Sequence, residues 1–278
     1  MKKINRRSFL AAAGLTAAAL ALTACGGSAS STASSTASSA ASSEAASTSA
    51  AAELTTVEAG KLTMATNAAF PPYEMTTDAG EFEGIDIDTA KAIAEKLGLE
   101  LQIDDMDFDA ALLSVQQGKA DIVMAGVTVT DERKAVMDFS DSYATGIQSI
   151  IVPEGSDITS PDDLAGKKIG TQRGTTGYIY CSDDFGDDAV VAYDDGLTAV
   201  QALKNGQVDA VVIDNAPAKE FVAANPGLVI LDTSYAEEDY AIGLAKDSAL
   251  EDAVNAALEE LKADGTLQSI VDKYITAE

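Results

Sequence analysis

The sequence is short of the residues that most often carry chemistry in proteins. Its 278 residues include no histidine and no tryptophan, and aromatic residues make up 5% of the chain. Without histidine, the chain lacks the commonest protein ligand of transition metals and the commonest general base of enzymes. We therefore expect no metal site, no bound cofactor and no histidine-dependent catalysis.

Cysteine is almost as scarce. Cys25 and Cys181 are the two cysteines of the chain, and they form no CxxC pair, which argues against a zinc site or a thioredoxin-type site. A disulfide between them is possible on paper, but the residues around Cys25 indicate a different role for that cysteine.

Basic residues are few as well. The chain has 18 lysines and arginines against 45 aspartates and glutamates, which gives a net charge of −27. A surface this acidic repels nucleic acid and anionic lipid head groups, so we expect no nucleic-acid partner, and any membrane attachment requires a tether.

Apolar residues make up 46% of the chain, which is enough for one large domain or for two lobes.

The first 24 residues have the organisation of an export signal. Four basic residues precede an apolar run from Phe9 to Leu22, which is too short and too rich in alanine for a stable membrane span. The run ends in the sequence LTAC at Cys25, which resembles the bacterial lipobox, whose cysteine receives a lipid. The resemblance predicts a lipoprotein signal peptide over residues 1–24 and a lipid anchor on Cys25; the alternative is an ordinary secretory signal. The sequence RRSFL at residues 6–10 also resembles a twin-arginine signal, so the export route stays open.

A segment of low complexity follows the signal. Every residue from 28 to 52 is serine, alanine or threonine except Glu44. This composition cannot bury enough apolar surface to offset the loss of chain entropy. Residues 25–54 are therefore predicted to form a flexible linker that lets a folded body move near a membrane partner.

The rest of the chain alternates short apolar strands with amphipathic helices, which predicts an α/β fold. Strands are expected at Lys61–Thr66 and Ala120–Ala125. One helix is expected at Asp88–Leu97, with Gly98 ending it. A second is expected at Asp109–Gln117, with Asp109 as its N-cap and a stop at Gly118.

A short internal repeat suggests two lobes of similar build. The sequence SVQQGKADIVMAG at Ser114–Gly126 matches ALKNGQVDAVVID at Ala202–Asp214, since each contains a helix end, a glycine, an aspartate and an apolar strand. Ligands of open α/β sheets bind beyond the carboxyl ends of strands. Gly126 and Asp214 follow such ends, so we expect both to face one cleft.

Oppositely charged side chains near these strand ends predict a clamp for a zwitterion. Thr128 lies on one face of the extended segment after Gly126, and Arg133 can hold a carboxylate with two parallel hydrogen bonds. Asp214 offers a negative group for an ammonium. The alternatives are a salt-bridge role for Arg133 and a helix N-cap role for Asp214. Phe70 is either a pocket wall or part of the core, and the sequence GTQRGTTG at Gly170–Gly177 can present backbone N–H groups to an anion.

These residues are similar to the motifs of the family 3 solute-binding proteins, which bind polar amino acids for ABC importers. The resemblance covers nearly all of residues 57–275. Its main pieces are ATNAAFPPYE at residues 65–74, FEGIDIDTAKAIAEKLG at 82–98, AGVTVTDERKAVMDFSDSY at 125–143, IGTQRGTTG at 169–177 and VDAVVID at 208–214.

The resemblance implies a two-lobed periplasmic-binding-protein fold of type II, with a ligand cleft between the lobes. Two hinge strands would cross near Ile147–Pro153 and Ala236–Gly243. Residues 55–148 plus 242–278 would form the first lobe, and residues 149–241 the second. The implied ligand-binding residues are Asn67, Phe70, Phe108, Gly126, Thr128, Arg133, Gln172, Thr176 and Asp214.

The same resemblance implies a receptor and not an enzyme. It would bind an amino acid, close, and deliver the ligand to an ABC permease and its ATPase. We expect a monomer, anchored through Cys25 on the outer face of the cytoplasmic membrane. Asn67 stands where many relatives that bind lysine, arginine, histidine or glutamine carry aspartate. Loss of that charge weakens the case for a basic ligand and favours a polar uncharged amino acid or cystine, with basic and acidic amino acids as the open alternatives. The alternatives are a dehydratase-like enzyme on the same scaffold and a ligand sensor.

Overall fold

The computed structural model describes residues 54–275, in which eight helices and fourteen strands alternate. The predicted signal peptide, Cys25 and nearly all of the predicted linker lie outside these residues. The helices are α1 Ile85–Leu97, α2 Phe108–Gln116, α3 Asp131–Lys134, α4 Thr176–Phe185, α5 Gly196–Lys204, α6 Asn215–Ala224, α7 Glu251–Ala263 and α8 Thr266–Tyr274. The strands are β1 Lys61–Thr66, β2 Ala69–Phe70, β3 Glu74–Thr76, β4 Phe82–Glu83, β5 Glu100–Asp105, β6 Ile122–Val123, β7 Met137–Phe139, β8 Ala144–Pro153, β9 Ile169–Gln172, β10 Val190–Tyr193, β11 Ala210–Asp214, β12 Leu228–Ile230, β13 Ala236–Tyr240 and β14 Gly243–Ala245. Two 3₁₀ turns lie at Pro161–Leu164 and Asp187–Ala189.

The first lobe is built on a five-stranded sheet with the order β5-β1-β6-β14-β7. Strand β1 is parallel to β5 and β6, and β14 is antiparallel to β6 and β7. Helix α2 packs on this sheet, and α7 and α8 pack against α1. A small sheet of β2, β3 and β4 precedes α1. The carboxyl ends of β1 and β6 therefore lie side by side.

The second lobe is built on a sheet with the order β10-β9-β11-β8-β12, and β13 also pairs with β8. Strands β10, β9 and β11 are parallel, and β8 is antiparallel to β11. Helices α4 and α5 pack on β9 and β11. The carboxyl end of β11 and the start of α4 are brought to the same edge of this sheet.

Two neighbouring segments connect the sheets. The chain passes from β7 to β8 through residues 140–143, and it returns from β13 to β14 through residues 241–242. The segments are hydrogen-bonded to each other, with Tyr143 N donating to Tyr240 O over 3.0 Å and Ser140 N to Ile242 O over 2.9 Å. The first crossing therefore precedes β8, a few residues before the expected position near Ile147–Pro153, and the second falls within the expected Ala236–Gly243. The lobe boundaries, 55–148 plus 242–278 and 149–241, stay a prediction.

The structure supports the internal repeat. Gly118 and Gly206 both adopt positive φ, at 65° and 67°, and both follow a helix that ends with equivalent backbone hydrogen bonds. Asp121 then accepts a hydrogen bond from Thr63 N in β1, and Asp209 accepts one from Lys168 N just before β9. Each aspartate thus fixes the start of the neighbouring parallel strand.

Helix and strand bounds differ from the sequence prediction at several places. Helix α1 begins at Ile85, three residues before the predicted start, and ends as predicted at Gly98, which has φ 69°. The assignment of Asp109 as an N-cap is wrong, because Asp107 holds that position and Asp109 accepts from Ala110 N inside the first turn. Residues 120–125 are all buried as expected, although the strand pairing is limited to β6.

Helix length matters for any direct insertion into a membrane. Among residues 54–275, every helix is too short or too polar to cross a bilayer.

Candidate ligand-binding site

A cavity lies where the strand ends of the two sheets meet. All nine residues assigned to a site from the sequence line it. The sequence did not identify seven further lining residues, which are Glu74, Ala125, Gln148, Thr175, Val212, Ile213 and Tyr240. The structure thus brings the two halves of the internal repeat to one place, as expected.

Arg133 is a buried cation at the wall of this cavity. Thr130 caps helix α3 by accepting from Arg133 N, and the arginine side chain is only 8% exposed. Its Nη1 donates to Thr128 O over 2.7 Å and its Nη2 donates to Gly174 O over 3.2 Å. The guanidinium carbon also lies 5.4 Å from the centre of the Phe108 ring, within cation–π range.

These contacts are dipolar or aromatic and leave the positive charge without an anionic partner. Within residues 54–275, Arg133 forms no ion pair with an aspartate or glutamate, so the salt-bridge alternative is wrong for this part of the chain. Burial lowers the pKa of the guanidinium from its ordinary value, while the nearby charge of Glu238 raises it. The guanidinium remains protonated at neutral pH and is suited to receive an anion.

Asp214 ends strand β11 and supplies the opposite charge. Its Oδ1 accepts from Ala216 N over 2.9 Å, so the helix-cap alternative is confirmed, and its Oδ2 accepts from Ile147 N over 2.8 Å. Burial raises the pKa of the Asp214 carboxyl to about 6, although these backbone hydrogen bonds lower it. At neutral pH the carboxyl is therefore mostly ionised and faces the cavity.

The threonines contact each other across the cleft. Thr128 Oγ1 and Thr176 Oγ1 are 3.4 Å apart, and Thr128 Oγ1 also donates to Glu238 Oε2 over 3.0 Å. Thr176 is the first residue of α4, whose N-cap is Thr175. The backbone N–H groups of a first helical turn have no partner within the helix and favour anions.

The two amide side chains also meet across the cleft. Gln172 Nε2 donates to Asn67 Oδ1 over 2.8 Å, and Asn67 Nδ2 donates to Met106 O over 3.0 Å. Both residues are buried. The pair is thus a neutral polar surface in the cavity wall, with one amide from each lobe.

Aromatic rings and one glycine shape the end of the cavity near the hinge segments. Phe70 stacks on Tyr73 with ring centres 5.8 Å apart, and Tyr73 meets the Tyr240 ring edge-on at 5.4 Å. Gly126 has φ 55°, and a Cβ there would lie 2.9 Å from the Phe70 ring and 3.2 Å from the Tyr240 ring. Only glycine fits this position without a shift of the aromatic wall. Phe70 is therefore both buried and a wall of the cavity, so both alternatives predicted from the sequence apply to it.

Glu74 and Glu238 are the most consequential residues that the sequence reasoning missed. Glu238 Oε2 accepts from Thr128 Oγ1 and from Gln148 Nε2, each over 3.0 Å, and Glu74 lines the cavity with a fully buried side chain. The sequence placed Glu74 in a family motif, ATNAAFPPYE at residues 65–74, and Glu238 in a hinge strand near Ala236–Gly243. Neither pattern indicates that the carboxyl group is buried.

Comparison with known proteins identifies the family. The family model for bacterial extracellular solute-binding proteins, family 3, matches residues 62–277. The chain belongs to this family. It is a binding protein and not an enzyme.

The chain is similar to several named amino-acid-binding proteins over most of its length. It is 32% identical to the probable histidine-binding protein of Neisseria gonorrhoeae, covering 99% of this chain and 98% of that protein. It is 34% identical to the arginine-binding extracellular protein ArtP of Bacillus subtilis, covering 78% and 87%. It is 32% identical to the L-cystine-binding protein TcyJ of Escherichia coli K12, covering 80% and 85%.

The fold is shared with solved structures. An ancestral arginine-binding protein bound to glutamine superposes with a TM-score of 0.75 at 43% sequence identity, covering 78% of this chain and 99% of that chain. The predicted two-lobed α/β fold of type II is confirmed.

Proposed function

We propose that this chain is the extracytoplasmic substrate-binding component of an ABC importer and that it binds a free amino acid. The observation that carries the proposal is the buried Arg133 guanidinium, which has no ion pair among the described residues and lines the same cavity as Asp214. A buried charge is costly unless an opposite charge and hydrogen bonds compensate it. The α-carboxylate of an amino acid supplies Arg133 with an opposite charge and with hydrogen-bond acceptors.

The two lobes divide the recognition of a zwitterion between them. Arg133 and Thr128 belong to the segment after β6, whereas Asp214 and Thr176 belong to β11 and α4. A ligand carboxylate bound to Arg133 is also within reach of the start of α4, and its ammonium group meets Asp214. Because neither lobe alone satisfies both charges, binding favours the closed arrangement of the lobes. A membrane permease and its ATPase would then receive the ligand.

We propose a polar uncharged amino acid or cystine as the ligand. The side-chain end of the cavity carries the neutral amides of Asn67 and Gln172, which offer both donors and acceptors. The cystine-binding relative supports this ligand class. The arginine- and histidine-binding relatives make a basic amino acid the competing outcome.

A thermal-shift screen tests the function. Residues 53–278 form their own compact unit, and we would screen this unit against the protein amino acids, cystine, ornithine and citrulline. A ligand at about 100 times its Kd stabilises the native state by about 2.7 kcal/mol. For a domain of this size, the melting temperature rises by about 5–10 °C. No shift with any of these compounds would contradict the proposal.

We further propose that Cys25 carries a lipid that holds the protein on the outer face of the cytoplasmic membrane. In the bacterium, the full chain should incorporate labelled palmitate and appear in the membrane fraction. Cys25→Ser should abolish both, whereas Cys181→Ser should change neither, because Cys181 is buried in the second lobe. Labelling or membrane retention of the Cys25→Ser protein would refute the anchor.

A further inference from the structure

Two buried carboxyl groups lie against each other behind the cavity wall. Glu74 in β3 and Asp86 in α1 are both 0% exposed, and Glu74 lines the cavity. Asp86 Oδ2 accepts from Gly126 N over 3.0 Å and from the Tyr143 hydroxyl over 2.8 Å. Among the described residues, no N–H or hydroxyl group donates to Asp86 Oδ1 or to either oxygen of Glu74.

The contact between these two groups requires a proton. Glu74 and Asp86 are in hydrogen-bond contact, and two ionised carboxylates offer no donor between them. Like charges at this distance prevent both groups from ionising together, so the pair holds one proton. With that proton directed to Asp86, Glu74 still has one oxygen without a partner, and Glu74 is a lining residue of the cavity.

The surroundings place the proton on Glu74. Burial, followed by the charge of Asp86, raises the pKa of Glu74 well above its ordinary value. Burial raises the pKa of Asp86 to about 6, while its bonds to Gly126 N, the Tyr143 hydroxyl and Glu74 lower it. The other titratable groups that face the pair, or the rings beside it, are all acids or phenols: Tyr73, Asp105, Tyr143, Tyr240 and Asp214.

A ligand ammonium group needs more acceptors than Asp214 provides. An ammonium donates three hydrogen bonds, whereas both Asp214 oxygens already accept from backbone N–H groups. The Thr128 hydroxyl donates to Glu238 and keeps a lone pair. Among the described residues, Glu74, Asp86 and Glu238 have buried carboxyl oxygens without a partner, and of these three Glu74 alone lines the cavity.

We propose that Glu74, held in place by Asp86, is a second carboxyl acceptor for a ligand ammonium group, and that binding of the ammonium expels the proton shared by the two acids. The inference rests on the proposed function, since it requires an amine-bearing ligand in this cavity. The O–H bond of Glu74 breaks, its proton passes to the solvent buffer, and the ammonium takes over the neutralisation of the pair.

Proton expulsion fixes the sign of the pH dependence. An ammonium beside the pair favours the ionised form of Glu74, so the pKa of Glu74 falls when the ligand binds. Affinity then rises with pH across the window between the pKa of the bound state and the higher pKa of the free state. Below that window the proton competes with the ligand, and above it the affinity no longer changes.

Isothermal titration calorimetry measures the expelled proton directly. L-glutamine, L-cystine, L-arginine and L-lysine would be titrated into residues 53–278 at pH 7.5 in phosphate, HEPES and Tris, whose ionisation enthalpies differ. Asp214 is already mostly ionised at this pH because its pKa is about 6. We expect a net release of protons on binding, approaching one for each ligand bound. Proton release with every bound amino acid would show that the α-ammonium contacts Glu74. Proton release with lysine alone would show that the side-chain ammonium does so.

The variant Glu74→Gln tests the role of the proton without changing the packing of the side chain. Glutamine keeps the shape and a donor to Asp86 but has no proton to lose, so proton release should vanish and binding should weaken about tenfold. Glu81→Gln, at an exposed position before β4, should behave like the unchanged protein. Binding without proton release in the unchanged protein, or equal release in Glu74→Gln, would overturn the inference while leaving the proposed function intact. If none of the four amino acids binds, this inference fails, and the function then depends on the wider screen.

Discussion

Replacement of Arg133 by alanine should weaken amino-acid binding by about 10²- to 10³-fold. The guanidinium is the buried cation of the cavity, and alanine leaves the ligand carboxylate without its opposite charge and with two fewer donors. Calorimetry or a fluorescence titration with the ligand from the screen measures the change. The free protein should remain folded, because alanine removes two hydrogen bonds, to Thr128 O and Gly174 O, and breaks no ion pair among the described residues.

Arg173→Ala is the matched control for this variant. Arg173 and Arg133 are the two arginines after residue 24, but Arg173 has a side chain that is 52% exposed and lies 3.4 Å from Asp194. Loss of such an exposed pair should change affinity by less than about twofold. Equal losses in the two variants would show that overall charge, and not a carboxylate site, controls binding.

Asp214→Asn should weaken binding by about 10- to 100-fold and also lower stability. Asparagine can still accept from Ala216 N as a helix cap, but it removes the negative charge that faces the ammonium. Its amide group then points a donor at Ile147 N, which now donates to Asp214 Oδ2. A buried donor left without an acceptor costs about 1–3 kcal/mol of unfolding free energy. Ligand titration and chemical denaturation measure the two effects separately.

Asp209→Asn provides the comparison for that change. Asp209 lies just before the other end of β11 and bonds Lys168 N at an exposed position. Its loss should reduce stability with little effect on affinity. If Asp214→Asn lost stability but kept full affinity, the ammonium role of Asp214 would be wrong and only its structural role would remain.

The sequence predicts those parts of the site that depend on local pattern. Gly118 and Gly206 mark turns that only a residue tolerant of positive φ makes easily, and Asp121 and Asp209 follow each turn at the same distance. The repeat therefore identifies two equivalent strand ends. Gly126 and Asp214 lie at those ends, and the structure places both at the cavity.

Buried acids are the part that sequence patterns do not show. Glu238 lies in a strand that reads as an exposed acidic segment, yet β8 and the cavity wall cover it. Glu74 is buried because the small sheet, α1 and the aromatic residues close around it. Carboxylates are usually exposed, so only the three-dimensional packing identifies these exceptions. Asp109 shows the same limit on a smaller scale, because two nearby aspartates compete for one cap position.

The amide pair of Asn67 and Gln172 is distinct from the charged residues of the cavity, so selectivity for a ligand side chain can change independently of them. In the proposed function, Arg133 and Asp214 bind the carboxylate and ammonium groups that every amino acid has. Neither Asn67 nor Gln172 belongs to the segments that connect the lobes, residues 140–143 and 241–242. Substitutions at these two positions can therefore alter the charge and shape offered to a side chain without disturbing the clamp. Under the proposed function, a gene duplicated from this one would change the amino acid that its product binds through substitutions at these two positions.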